Sequence, residues 1–162
     1  MKRTAGFTLV EMMVVVFIIA ILATMGFPAM NRMLSTAAVR SAAYDLFADL
    51  VYARSEAITR GTSVTITAPG GTNWKGGYTI TEAAGGTTLR DVPARTDDRI
   101  SFTASQNSVT FDRSGRAQNA AAVSFAIMVS GDQDAHTVQD HQKRCVKLDP
   151  SGRPRSNEGV CT

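Results

Sequence analysis

The chain has 162 residues and a formal net charge of +3, a size that fits one domain with an appendage and excludes a second full core. Composition is ordinary at 44% hydrophobic and 19% charged residues, but the apolar residues are unevenly spread, and Met12 to Ala23 contains no polar one.

The amino terminus reads MKRTAGFTLVEMMVVVFIIAILATMGFP. Lys2 and Arg3 precede an apolar stretch from Phe7 to Phe27 that is broken by one charge, Glu11. A stretch of that kind can cross a bilayer as a helix, which takes roughly 20 residues. A secretory signal would carry a small-residue cleavage site after its apolar run, whereas here the small residue, Gly6, precedes it. Lys2 and Arg3 are expected to stay on the cytoplasmic side, which places everything after Pro28 outside the inner membrane. Glu11 is the anomaly, because a carboxylate among lipid tails costs ~2.5 to 3.5 kcal/mol and calls for a partner, a function, or a place near the headgroups.

Basic residues, then Gly6-Phe7-Thr8-Leu9-Val10-Glu11, then an apolar helix carrying Pro28, resemble the signal of type IV pilins and type II secretion pseudopilins. The resemblance implies cleavage by a prepilin peptidase between Gly6 and Phe7, with residues 1–6 as leader and 7–30 as a membrane-spanning and filament-core helix. It also implies that Glu11 reports assembly, its carboxylate pairing with the free amino terminus of a neighbouring subunit, which offsets the cost of its burial. Gly26 and Pro28 predict a bend or local melting in the helix, since proline removes one ladder hydrogen bond and clashes with the preceding turn.

From Asn31 to Thr59 there is no glycine or proline, and Val39, Ala43, Leu46, Leu50, Ala53 and Ala57 recur at three- and four-residue steps, with Phe47 and Ile58 widening the stripe. This predicts one long helix continuing into a head of residues 31–162, with helix over 31–60 and Gly61 as its carboxy-terminal cap. Arg40, Asp45, Asp49 and Glu56 are expected mostly off the buried stripe. After Gly61 the period changes to two, and strands are predicted at Thr62–Thr67, Gly77–Thr81, Ile100–Ala104, Val109–Asp112, Ala122–Val129 and Cys145–Asp149. One helix against several short antiparallel strands is an α+β, pilin-like architecture.

The stretches YARSEAITRGTSVTI and NWKGGYTI are similar to those of FimT- and FimU-type minor pilins and GspH-type pseudopilins. Read on their own, Arg54 and Glu56 are a solvated or locally paired helix end and Trp74 a packing residue.

No catalytic constellation stands out, and the chain is not expected to be an enzyme. The richest polar segment, GDQDAHTVQDHQK at 131–143, offers Asp132, Asp134, His136, Asp140 and His141 as metal ligands. The sixth and twelfth places of an EF-hand loop are wrong here, no four-ligand zinc set is defined, and neither histidine has a nucleophile motif nearby. A solvated loop with no metal and no cofactor is the expectation.

Outside the inner membrane disulfides persist, and Cys145 and Cys161 are the only two cysteines, so a bridge between them is expected to pin the tail. Between them runs Ser151-Gly152-Arg153-Pro154-Arg155. A near copy exists upstream, because Asp112-Arg113-Ser114-Gly115-Arg116 follows VTF as Asp149-Pro150-Ser151-Gly152-Arg153 follows VKL, so D-x-S-G-R can be mere hairpin punctuation. Yet Lys143, Arg144, Lys147, Arg153 and Arg155 against Asp149 alone give a local balance of five minus one, +4, above that of the whole chain. Guanidinium groups on a rigid loop suit phosphate oxygens.

Gly152-Arg153-Pro154-Arg155 also resembles the GRxR motif of FimT-type minor pilins, which bind DNA for uptake in natural transformation. The resemblance implies double-stranded DNA as a partner, with Arg153 and Arg155 on its backbone and Lys143, Arg144 and Lys147 in support, besides major and minor pilins in a filament. Two alternatives stay open: a FimU-like structural subunit that primes or caps pilus assembly, and a GspH-like pseudopilin of type II secretion. The inner membrane is the expected location before assembly and the pilus surface after it.

Overall fold

A computed structural model describes residues 7–118, 122–130 and 142–161, and for 25–29 the backbone alone. Among these residues one α-helix, α1 (Leu9–Arg60), is followed by eight strands, β1 (Val64–Thr67), β2 (Tyr78–Glu82), β3 (Thr88–Val92), β4 (Ile100–Ala104), β5 (Ser108–Phe111), β6 (Val123–Val129), β7 (Lys143–Leu148) and β8 (Pro154–Glu158), with a 3-10 turn at Trp74–Gly76. The chain divides into two compact units, Met1–Leu34 and Ser35–Thr162.

In the first unit the helix starts where Thr8 Oγ accepts from the Glu11 amide at 3.3 Å, half of a T-x-x-E capping box. The backbone stays helical through Pro28, so of the two alternatives expected there, a bend or local melting, melting does not occur. Side chains from Leu9 to Leu22 are largely exposed. Among the described residues no helix is long and apolar enough to cross a membrane.

The second unit holds the core. Val39, Ala42, Ala43, Leu46, Leu50, Ala53 and Ala57 are buried along one side of α1, as the three- and four-residue steps require. Arg60 closes the last turn on Glu56 at 2.6 Å, and Gly61 follows at φ 67°, the left-handed conformation that a helix carboxy-terminal cap favours. Two antiparallel four-stranded sheets, in the orders β3-β2-β1-β5 and β4-β6-β7-β8, contribute alternate residues to the same core. Ile66, Ile80, Phe111, Phe102, Phe125 and Leu148 are among them. Trp74 is 1% exposed, donates from Nε1 to the Gln106 carbonyl at 2.9 Å and meets Phe125 edge-on, so it is a packing residue.

Two strands were not predicted. β3 (TLRDV) and β8 (PRSNE) are sheet edges with mostly exposed side chains, so they lack the alternation that marks a half-buried strand. Pro154 is the first residue of β8, the place an edge strand tolerates proline.

Asp49 departs from its expected exposed position and is buried. The Tyr78 hydroxyl donates to its Oδ2 at 2.6 Å and the Arg90 guanidinium pairs with Oδ1, while Arg90 also lies over the Tyr52 ring at 4.7 Å. Burial, and then the bond to Asp49, push the Tyr78 phenol well above its ordinary range, keeping it a neutral donor. An Asp49→Ala variant is expected to lose about 2 kcal/mol, because the Tyr78 hydroxyl loses its charged acceptor. Urea unfolding of the head checks this, and an unchanged midpoint would refute it.

Candidate nucleic-acid interface

Both copies of D-x-S-G-R are hairpin turns of one construction. In the first, the Gly115 amide donates to the Asp112 carbonyl at 2.8 Å and the Asp112 amide to the Arg116 carbonyl at 2.9 Å. In the second, Gly152 donates to Asp149 at 2.8 Å and Asp149 to Arg153 at 3.2 Å. Gly115 and Gly152 have φ of 75° and 73°, as a turn closed by a left-handed residue requires, so the shared motif is a turn code in both places. The Asp112 carboxylate accepts from the Ser114 amide and hydroxyl and from the Arg116 amide, and these bonds hold its pKa below the ordinary carboxylate value.

The two turns are docked on each other. The Ala117 amide donates to the Pro150 carbonyl at 3.2 Å, and a Cβ built on Gly152 would lie 1.9 Å from the Gly115 carbonyl oxygen. A Cβ on Gly115 would in turn lie 2.6 Å from Ile58 Cδ1 and 3.0 Å from Arg54 Nε. Helix end, first turn and second turn are therefore stacked, and glycine is the side chain that permits each contact.

The predicted basic residues separate into two groups. Arg153 is exposed at the second turn, and its guanidinium makes no ion pair among the described residues. Arg155, on β8 rather than in a loop, has a 70% exposed side chain and, among the described residues, a single ion pair, Nε to Asp149 Oδ2 at 3.2 Å. Lys147 stands directly opposite Arg155 in the β7–β8 register, so the two side chains share a face. Gly152 supplies the turn.

Lys143 and Arg144 do not join them, which corrects the supporting role expected of both. They lie at the far end of the hairpin, where Arg144 opposes Glu158 and binds its Oε1 at 2.5 Å. Lys143 is 4% exposed, and the Gly159 amide donates to its carbonyl. What remains is Lys147, Arg153 and Arg155 against Asp149, three minus one, or +2 in place of the expected +4. The residues that sequence reasoning set aside are Arg113 and Arg116, exposed on the first turn. The repeated D-x-S-G-R was the signal for them, and only the docking gives it that meaning.

Cys145 and Cys161 form the expected disulfide, with Cα atoms 5.2 Å apart. It too sits at the far end, since Cys145 opposes Asn157 while the arginine turn closes beyond Leu148 and Pro154. Glu11 and Phe7 are exposed. Gly6, and the metal candidates Asp132, Asp134, His136, Asp140 and His141, lie outside the described residues; among those described, no cluster could hold a metal.

A family model described as type II transport protein GspH matches residues 42–152, and one described as the prokaryotic N-terminal methylation motif matches residues 1–27. The type IV minor pilin FimU of Pseudomonas aeruginosa is 25% identical with a TM-score of 0.62, the likeness covering 74% of this chain and 87% of that one. The minor pseudopilin EpsH of the Vibrio cholerae type 2 secretion system is 12% identical with a TM-score of 0.54, covering 74% and 96%, and shares the fold. No curated protein matches closely enough to count as a relative. The chain thus belongs to the GspH family and is a minor pilin or pseudopilin, a structural subunit rather than an enzyme, that assembles with other pilins in a filament.

Proposed function

We propose that this subunit belongs to a type IV pilus and that its head binds duplex DNA through the second D-x-S-G-R turn, for DNA uptake in natural transformation. The observation that carries the reading is the pair Arg153 and Arg155, one exposed at a turn held by its own hydrogen bonds and by a docked neighbour, the other exposed on the strand that leaves it. Exposed ion pairs of the Arg155–Asp149 kind contribute only about 0 to 1 kcal/mol, so a phosphate can displace that carboxylate. Binding is electrostatic, salt-sensitive and indifferent to base sequence. Each head makes few contacts, and several heads on one filament add avidity.

In the same reading a prepilin peptidase cuts between Gly6 and Phe7. Residues 7–30 anchor the precursor in the inner membrane and later line the filament core, where Glu11 pairs with a neighbouring amino terminus. The 31–162 head stands outside the membrane and then on the pilus.

A second reading, a structural minor pilin or type II pseudopilin without DNA binding, is favoured by one observation: the second turn is built like the first, so its arginines need no ligand to account for the motif. Titrating labelled duplex DNA into the oxidised Ser35–Thr162 head at two salt concentrations separates them. That unit contains the whole buried core, from Val39 to Leu148, and is expected to fold alone. Salt-dependent binding that Arg153→Ala/Arg155→Ala abolishes, with the fold intact, supports DNA uptake. Absence of binding, or equal binding in both proteins, leaves the structural subunit.

A further inference from the structure

The molecule carries a second set of cations that the proposed site does not use. Arg113 and Arg116 are exposed on the first turn, and Arg54 lies beneath it with Nε buried and without a hydrogen-bond partner. No described carboxylate forms an ion pair with any of the three, and Asp112 is engaged by Ser114 and by the Arg116 amide. Docking makes the two turns one surface, because the Cβ position of Gly152 lies 3.4 Å from the Arg116 Cα. Arg116 and Arg153 therefore stand on touching pieces of backbone, although 37 positions separate them in sequence (153 minus 116).

We infer that Arg113 and Arg116 are further phosphate-binding residues of the same site, so that duplex DNA is held by two docked turns rather than by one. The inference rests on the DNA-binding reading above. Its physical basis is that a phosphodiester backbone presents its charges in a row, and two adjoining turns offer guanidinium groups over a wider footprint than either turn alone. The first turn also backs the second, since Gly152 packs directly against the Gly115 carbonyl and Gly115 in turn against Ile58 and Arg54 of α1.

The test compares four oxidised Ser35–Thr162 heads with a labelled duplex across a salt series: wild type, Arg113→Ala/Arg116→Ala, Arg153→Ala/Arg155→Ala, and Arg40→Ala/Arg99→Ala. The last removes the same formal charge elsewhere, since Arg40 lies roughly 21 Å along the helix from Arg54. Arg99 precedes β4 at the end of its sheet near Lys143, away from the turn. For Arg113→Ala/Arg116→Ala the expected result is an affinity about tenfold lower near 0.1 M salt and a salt slope flatter by about 1.8, as two lost phosphate contacts imply. An Arg113→Lys/Arg116→Lys variant should keep most of the slope, which a merely structural role would not predict.

Wild-type binding that is lost in Arg153→Ala/Arg155→Ala but unchanged in Arg113→Ala/Arg116→Ala overturns this inference and spares the DNA-binding reading. An equal loss in the Arg40→Ala/Arg99→Ala control overturns it as a general charge effect. Failure of the lysine variant to retain the slope overturns it as a fold effect. No binding by the wild type overturns both.

Discussion

A Gly152→Ala head is expected to be about 3 kcal/mol less stable than wild type, from a single added methyl group. One part comes from the backbone, since alanine at positive φ costs roughly 1 to 2 kcal/mol. The larger part is steric: the new Cβ would lie 1.9 Å from the Gly115 carbonyl oxygen, far inside contact distance, and that oxygen belongs to backbone that cannot swing aside. Turn must separate from turn, and forcing atoms into such a packed contact costs about 1 to 3 kcal/mol. Gly86 supplies the comparison, because it has φ of 63° with nothing within 4 Å of its Cβ position. Gly86→Ala should therefore lose only the backbone part. Denaturant unfolding of both variants decides the matter: equal losses would mean that the two turns are not in contact. Since the same contact joins the two arginine pairs, Gly152→Ala should also weaken DNA binding under conditions where the head remains folded.

Much of the fold could be read before any coordinates, and the reasons are local. The helix stripe from Val39 to Ala57, the cap at Gly61 and the strand at Ile100–Ala104 each carry their own periodic or capping signal. What could not be read depends on partners distant in sequence. Asp49 looks like a surface acid until β2 and β3 bring Tyr78 and Arg90 to it. β3 and β8 have no apolar alternation because as edges they bury little. The basic cluster is dispersed for the same reason. Counting charge along residues 143–155 treats a hairpin as a point, whereas antiparallel pairing sends Lys143 and Arg144 to one end and Arg153 and Arg155 to the other. Conversely, the upstream D-x-S-G-R, seen in the sequence alone, argues against function at the downstream copy, although the two are in contact. A repeated turn is evidence about backbone geometry and says nothing for or against the side chains it carries.

Removal of the disulfide should separate stability from recognition. A Cys145→Ser/Cys161→Ser head is expected to lose about 3 kcal/mol, the constraint of closing a loop of roughly 15 residues in the unfolded chain. The bridge joins the tail to β7 at the position opposite Asn157, on the Glu158 side of the hairpin. The arginine turn closes at the other end, where Asp149, Gly152 and Arg153 bond to one another and Pro150 receives the Ala117 amide. The β7–β8 pairing runs over five register positions, from Arg144 opposite Glu158 to Leu148 opposite Pro154. In the folded variant the turn should keep its shape, so DNA affinity measured well below the unfolding transition should stay within about twofold of wild type, a difference of only ~0.4 kcal/mol. Two measurements on the same protein check both halves: a urea midpoint and a DNA titration, the latter under native conditions. An unchanged midpoint would contradict the loop-closure argument. A tenfold loss of affinity with the fold intact would show that the bridge, and not the docked turns, holds the arginines in place.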